Sequence, residues 1–215
     1  MTEGIGKSYH HGNLRNELLE AAEAQLAEAG AEDLSLRALA RRVGVSQTAP
    51  YRHFQDKSDL LGALATRGYS KLLQQLELAR LRAGDDPVKQ LYAFAHSYVN
   101  YAVNNRDVFK LMFGPMLQPN EQFPDLQNTS RETYDLVRDI MRRGIEQGVF
   151  LHSDVEYLAN AGWSGIHGLA TLKLDIPELF QRKIDLNRQI DLGVAIFVTG
   201  LANLSPAEEQ PSQLP

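Results

Sequence analysis

The 215-residue sequence predicts an all-α fold: a small amino-terminal three-helix unit joined by one long helix to a larger carboxy-terminal bundle. Three observations carry that expectation. Apolar residues recur at helical spacing, and no alternating segment of convincing length reads as a strand. Glycine and proline punctuate the stripes, at Gly30, Gly44, Gly84, Pro87 and Gly148, where helices start or stop. Positive charge is gathered near the amino end of a chain whose net charge is −5.

The first helix is expected from about Leu14 to Ala29. Asn13 can cap it, Leu14, Leu18, Ala22 and Leu26 form its stripe, and Gly30 ends it. Leu36, Leu39, Ala40 and Val43 then mark a short helix that stops at Gly44, which can take the left-handed conformation without a Cβ clash. Val45 and Ser46 make a turn, and Ala49, Pro50, Tyr51 and Phe54 share one face of a second short helix. Two short helices joined by about three residues containing Gly form a helix-turn-helix. Where the second one begins stays open. With Ser46 as cap, Pro50 falls where a donor is needed; a start at Gln47 or Thr48 puts Pro50 harmlessly in the first turn.

Asp56 caps the next helix, which runs to about Ala83; roughly 27 residues at ~1.5 Å each give about 40 Å. Leu60, Leu61 and Leu64 are expected to pack on the amino-terminal unit, and Leu72, Leu76 and Ala79 on the larger one. A rod of that length can convert a tilt at one end into a displacement at the other. Pro87 opens a nearly all-apolar helix, LYAFAHSYVNYAV, and a helix from about Gln127 to Gln147 follows a loop through Pro119 and Pro124. Ser153 with Glu156 reads as a capping box for the helix containing Trp163 and His167, and the last helix spans about Leu186 to Leu204. The resulting division is 1–12 as a flexible arm, 13–72 as the helix-turn-helix unit (motif 36–55), 73–204 as the bundle, and 205–215 as a disordered tail.

Between Leu34 and Lys57 stand Arg37, Arg41, Arg42, Arg52 and Lys57 against Asp56 alone, five cations to one carboxylate, a net of +4. A basic island in an acidic chain is a local phosphate-facing surface rather than a general polycation. Ser46, Gln47 and Thr48 add short polar groups that can cap a helix or reach base edges, and Tyr51, Arg52 and His53 follow with an aromatic hydroxyl and two donors. The arm around His10 and His11, with Lys7 and Arg15, can also approach phosphates.

Other classes find little support. With no Cys there are no disulfides, thiolate metal sites or cysteine nucleophiles, which suits a reducing cytoplasm. No apolar run reaches about 18 residues, so no membrane partner is expected, and the start of the chain lacks the apolar core of a signal peptide. No nucleophile elbow, P-loop, HExxH or dinucleotide glycine motif is present, and the Asp135–Asp139 pair is flanked by arginines, so neither catalytic residues nor a cofactor or metal is expected. An enzyme with a DNA-binding head, or a helical small-molecule carrier with a vestigial hairpin, remain the alternatives.

The run LLEAAEAQLAEAGAEDLSLRALARRVGVSQTAPYRHFQDKSDLLGALA resembles the DNA-binding domain of TetR-family transcriptional regulators, with YRHF followed by Lys its most specific stretch. WSGIHGL resembles the Trp…His-Gly pattern of one branch of that family's effector domains. The resemblance implies an all-α homodimeric repressor that leaves DNA when a small molecule enters the bundle. It places Gln47, Thr48, Ala49 and Tyr51 on the recognition helix, sets Tyr51, His53 and Lys57 toward the DNA backbone, and brings Ser35 and Arg37 to phosphate or groove. Many members carry Gly where this chain has Thr48, so base preference does not carry over.

For the bundle, Tyr92, Phe94, Tyr98, Met112, Phe113 and Met116 are candidate lining residues of an effector pocket. Phe123, Tyr134, Met141 and Trp163 join them, with His96 and His167 as core or wall residues. Such a lining suits an apolar or aromatic ligand with one polar handle. The last two long helices carry apolar residues on more than one face, with glycines that allow close approach. Gly165, Gly168, Leu169 and Leu172 on one, and Ile190, Val194, Phe197, Val198 and Leu201 on the other, are therefore expected in a four-helix dimer interface. A two-fold dimer sets its recognition helices about 34–36 Å apart and calls for a pseudo-palindromic operator in double-stranded DNA.

Overall fold

A computed structural model describes residues 13–182 and 184–203. The proposed arm at 1–12 and tail at 205–215 lie outside the described residues. Within them, all regular structure is helical: α1 (Leu14–Ala29), α2 (Leu36–Val43), a 3-10 turn (Pro50–Arg52), α3 (Lys57–Arg82), α4 (Pro87–Asn104), α5 (Arg106–Phe113), two more 3-10 turns, α6 (Pro124–Glu146), α7 (Val155–Asp175), α8 (Leu179–Arg182) and α9 (Leu186–Asn203).

The chain forms two compact units. One comprises the residues through Gly68 together with Asp107–Gln127, and the other Tyr69–Arg106 together with the residues from Asn128 onward. The contiguous division at 72/73 read from the sequence is therefore not the one the packing makes. Segment 107–127 returns to the first unit, and the glycines of α3 are the reason. A Cβ on Gly62 would lie 2.5 Å from the Phe123 ring, and one on Gly68 would lie 2.6 Å from Val108 and 2.8 Å from the Met112 sulfur. Glycine in a helix interior costs roughly 0.5–1 kcal/mol relative to Ala, and these two are tolerated because side chains occupy the vacated space.

In the first unit, Leu18, Leu19, Ala22 and Leu26 of α1 meet Leu36, Leu39 and Ala40 of α2 around a core closed by Phe54 and Leu60. Asn13 precedes α1 without a side-chain cap bond, whereas Asp56 does cap α3, its Oδ1 accepting from Asp59 N–H at 2.9 Å. Asp59 in turn accepts from Gln55 N–H at 2.9 Å, so one orphan amide donor of the long helix is satisfied and the residue before its cap is tied back to the first turn.

The second unit is built on α4, which packs against α7 and α9, and these pack on each other. Asp86 caps α4 by accepting from Val88 and Lys89 N–H, with Pro87 at the first helical position as expected. Buried Gln90 donates to the Gly84 carbonyl and accepts from Arg143 at 2.5 Å, so its amide is satisfied at both ends. The cap of α7 is Asp154, which accepts from Glu156 N–H at 2.8 Å; Ser153 is not the capping residue. A carboxylate one residue closer to the helix takes the amide that the Ser-x-x-Glu pattern assigned to Ser153.

Candidate functional site

Gly44 ends α2 at φ 80° and ψ 31°, donating to the carbonyls of Ala40 and Arg41, while Val45 N–H also reaches Ala40. This left-handed cap redirects the chain into a turn closed by Ala49 N–H on the Ser46 carbonyl at 3.0 Å. The segment expected to be a second α-helix is instead this turn followed by a single 3-10 turn, and neither Gln47 nor Thr48 starts a helix. Pro50 lacks the N–H that an α-helical ladder requires. The following donors close shorter rings, Arg52 onto Ala49 at 3.2 Å and His53 onto Pro50 at 2.9 Å.

The result is a two-sided segment. Pro50 and Phe54 are buried, while Ser46, Gln47, Thr48, Arg52 and His53 are exposed, Tyr51 is 48% exposed and Ala49 is half-buried. Ser46 and Thr48 hydroxyls lie 3.2 Å apart and share a hydrogen bond. Arg15 is exposed, and its guanidinium sits 5.4 Å over the Phe54 ring, holding α1 against the segment's buried side. Ser35 stands at the start of α2, half-buried, and makes no side-chain cap bond.

The five cations of the island differ in availability. Arg37, Arg41 and Arg52 are exposed and carry no ion pair among the described residues. Lys57 donates to the Glu32 carbonyl, a bond that ties α3 to the loop before α2 and leaves its charge uncompensated. Arg42 is held by Glu28 of α1 in a two-point ion pair. That pair raises the Arg42 pKa and lowers that of Glu28, with the hydrogen bond as the main cause of both. Glu28 escaped the sequence reading because the charge count began at Leu34, one helix too late.

In the second unit, α4, α6, α7 and α9 line a partly open cavity of about 180 Å³. Of the expected lining residues only Phe94 and Met141 face it. Five residues expected in the dimer interface, Gly165, Leu169, Ile190, Val194 and Phe197, line it instead. Ile190, Val194 and Leu201 are buried within the unit, so they do not form an outer face. Gly168, Phe197 and Val198 are half-buried, and Gly165 and Leu172 are exposed. Of the expected interface residues Leu172 is open, and beside it Ile176 just beyond α7; Tyr157 (77%) of α7 and Leu192 and Ile196 (65%) on one stripe of α9 are open as well.

The other expected pocket residues have structural partners. Tyr98 is buried and its hydroxyl accepts from the Trp163 indole N–H at 3.1 Å and meets His167 Nδ1 at 2.8 Å. Burial pushes the Tyr98 pKa up and the His167 pKa down, so both are held neutral. Tyr134 donates to the Glu156 carbonyl at 3.3 Å, and its ring stands edge-on to Trp163. His96 Nε2 lies 2.7 Å from Asp191, and Tyr92 is half-buried. Met112 and Phe123 fill the spaces beside Gly68 and Gly62, Phe113 packs on Phe109 at 4.8 Å, and Met116 is 41% exposed. Aromatic and Met residues at helical spacing were read as lining because the sequence shows their spacing but not which groups already satisfy their polar tips.

A glycine-capped helix, a tight polar turn and exposed, unpaired arginines define a helix-turn-helix protein of the DNA-binding kind. Residues 18–64 match the model of bacterial regulatory proteins of the tetR family, and residues 91–195 match the model of tetracyclin repressor-like C-terminal domains. An uncharacterized HTH-type transcriptional regulator of Bacillus subtilis is 25% identical over 190 residues, 87% of this chain and 93% of that protein. A solved structure of a protein of unknown function from Rhodococcus sp. RHA1 is 32% identical with a TM-score of 0.82, covering 91% of this chain and 99% of the other. The TetR-family regulator PfmR of Thermus thermophilus is 25% identical with a TM-score of 0.65, covering 86% of this chain and 98% of that one. The chain belongs to the TetR family, and is a DNA-binding transcriptional regulator rather than an enzyme. Among the described residues no helix is long and apolar enough to cross a membrane, and no His, Asp and Glu cluster could hold a metal ion.

Proposed function

We propose that this regulator is a cytoplasmic homodimeric repressor that holds a pseudo-palindromic operator and leaves it when a small apolar or aromatic molecule enters the carboxy-terminal unit. The observation that carries the reading is the exposed row Gln47, Thr48, Tyr51, Arg52 and His53 standing on buried Pro50 and Phe54, with Arg37 and Arg41 unpaired on the preceding helix. Gln47 and Thr48 read base edges, while Tyr51, His53, Lys57, Ser35 and Arg37 position the unit on the backbone. The open apolar stripes of α7 and α9 support a second copy as partner, since an isolated chain leaves Ile196 and Tyr157 in water.

Selection of bound duplexes from a random pool tests this. Enrichment of inverted repeats whose half-sites sit one helical turn apart, or a small multiple of it, is expected. Recovery of single half-sites alone would remove the dimeric reading, and recovery of no sequence preference would remove the regulator's operator altogether. Placing the operator before a reporter then distinguishes repression from activation by the sign of the change when the gene is deleted.

A further inference from the structure

We propose that the cavity between α4, α6, α7 and α9 is a binding site for a small uncharged aromatic molecule of about six to nine non-hydrogen atoms carrying at most one hydrogen-bonding group. Its volume of about 180 Å³ decides the size. Apolar cavities of about 150 Å³ stay dry and take up benzene, so this one accommodates a single ring with a short substituent. Its chemistry decides the class. Phe94 from α4 and Phe197 from α9 present two rings, and Met141 from α6 adds a polarizable thioether, a combination that favours an aromatic guest over a linear one. No Lys, Arg, His, Asp or Glu lines it, so an ion would enter without a partner. Gln189 is the one polar side chain in the wall, and its amide makes no hydrogen bond among the described residues. An amide that can both donate and accept is suited to a hydroxyl or an amide on the guest.

Glycines of α7 and α9 shape the wall. A Cβ at Gly162 would stand 3.1 Å from the Phe197 ring, so there the two helices meet closely. Gly165 and Gly193 also line the cavity but are exposed, with nothing within 4 Å of an added Cβ, so they form its open rim. The proposal names the ligand class for the effector reading above and rests on that reading only for its regulatory consequence.

Binding is measured on the full chain without DNA, by calorimetry and thermal shift with benzene, phenol and benzoate as probes. Saturable binding of benzene and tighter binding of phenol are expected, with benzoate at least tenfold weaker than phenol. Gln189→Leu should erase the preference for phenol while leaving benzene unchanged. Ala95→Val, which adds two methyl groups to the α4 wall, should weaken both at least fivefold, and Leu169→Ala should admit naphthalene. Absence of saturable benzene or phenol binding to the wild-type chain overturns the proposal. So does binding that Ala95→Val and Leu169→Ala both leave unchanged, or a dimer structure with a partner side chain filling the cavity. Phenol binding with the expected variant pattern, but with operator affinity unchanged, leaves the site standing and removes only its regulatory role.

Discussion

Arg42 and Glu28 face each other across α2 and α1 in a fork-to-fork ion pair, at 2.7 and 2.8 Å, next in sequence to the unpaired Arg41. A guanidinium so placed cannot give its two donors to a phosphate without leaving the carboxylate. The same carboxylate also places a negative charge beside the DNA-facing surface. Glu28→Gln removes that charge and frees Arg42. Affinity for all duplexes should rise several-fold, and the slope of log K against log salt should steepen by about one. Fluorescence anisotropy over about 50–200 mM salt measures both. A slope identical to wild type would mean that Arg42 never reaches the backbone.

Contacts to phosphate and contacts to bases should separate under mutation. Tyr51→Phe and Arg52→Ala weaken binding to every sequence, and the arginine change flattens the salt slope by about one. Gln47→Ala and Thr48→Ala instead alter which bases are preferred, each costing about 1–3 kcal/mol against the parental operator. Lys57→Ala combines two effects, since the ammonium also holds the Glu32 carbonyl, and it should lower the melting temperature as well as the affinity. Sequence profiles that stay parental in the Gln47 and Thr48 variants would displace the base-reading role from this turn.

Much of this organisation could be read from the residues, and the failures have physical causes. The bounds of α1 and the left-handed stop at Gly44 are found as expected, the glycine after each stripe acting as read although Asn13 makes no cap bond. Local patterns failed where two residues compete for one role. Asp154 displaced Ser153 at a cap, and Pro50 turned a helix into 3-10 and turn geometry. They failed most where the answer depends on distant chain segments. Glu28 meets Arg42 across 14 positions, Tyr98 meets His167 across 69, and the direction in which Ile190 and Val194 face is set by the packing of α9 on α4 and α7. A stripe tells that a face is buried, not against what.

Glycines within helices should respond in opposite ways to the same substitution. At Gly62 an added methyl meets the Phe123 ring at 2.5 Å, so overpacking of about 1–3 kcal/mol outweighs a helix-propensity gain of about 1 kcal/mol. Gly62→Ala should therefore be destabilising in urea unfolding. At Gly168 a methyl meets nothing within 4 Å, and Gly168→Ala should stabilise the chain by up to about 1 kcal/mol. Equal effects of the two substitutions would contradict the packing of segment 107–127 on α3.

His167 should make the fold sensitive to mild acid. The Trp163 N–H can only donate, so the Tyr98 oxygen accepts it; the Tyr98 O–H can donate to Nδ1 only while that nitrogen carries no proton, which suits a neutral imidazole. Burial lowers its pKa, which means the unfolded chain binds a proton at a higher pH than the folded one. Stability is therefore full above the ordinary histidine value of about 6.5 and declines as pH falls through and below it. Melting temperatures should drop between about pH 7 and pH 5.5, and His167→Gln should flatten that part of the curve. An identical slope in the variant would assign the loss to other groups.

The self-association reading depends on surface rather than cavity residues. Ile196, 65% exposed, follows Leu192 by one turn on α9, and Leu172 and Ile176 mark the corresponding open stripe of α7. In a two-fold interface each side chain is buried twice, and fully burying one Ile contributes about 1.5–3 kcal/mol. Ile196→Glu removes that gain at both copies and leaves two carboxylates without partners, so dimer affinity should fall more than a hundredfold. Because Ile196 touches no core, circular dichroism should be unchanged while sedimentation shows monomers. Binding to an isolated half-site should persist, and binding to the paired operator should fall to the same level. A variant that remains dimeric would place the interface on another face of the chain, and one that binds the paired operator normally as a monomer would separate DNA recognition from two-fold symmetry.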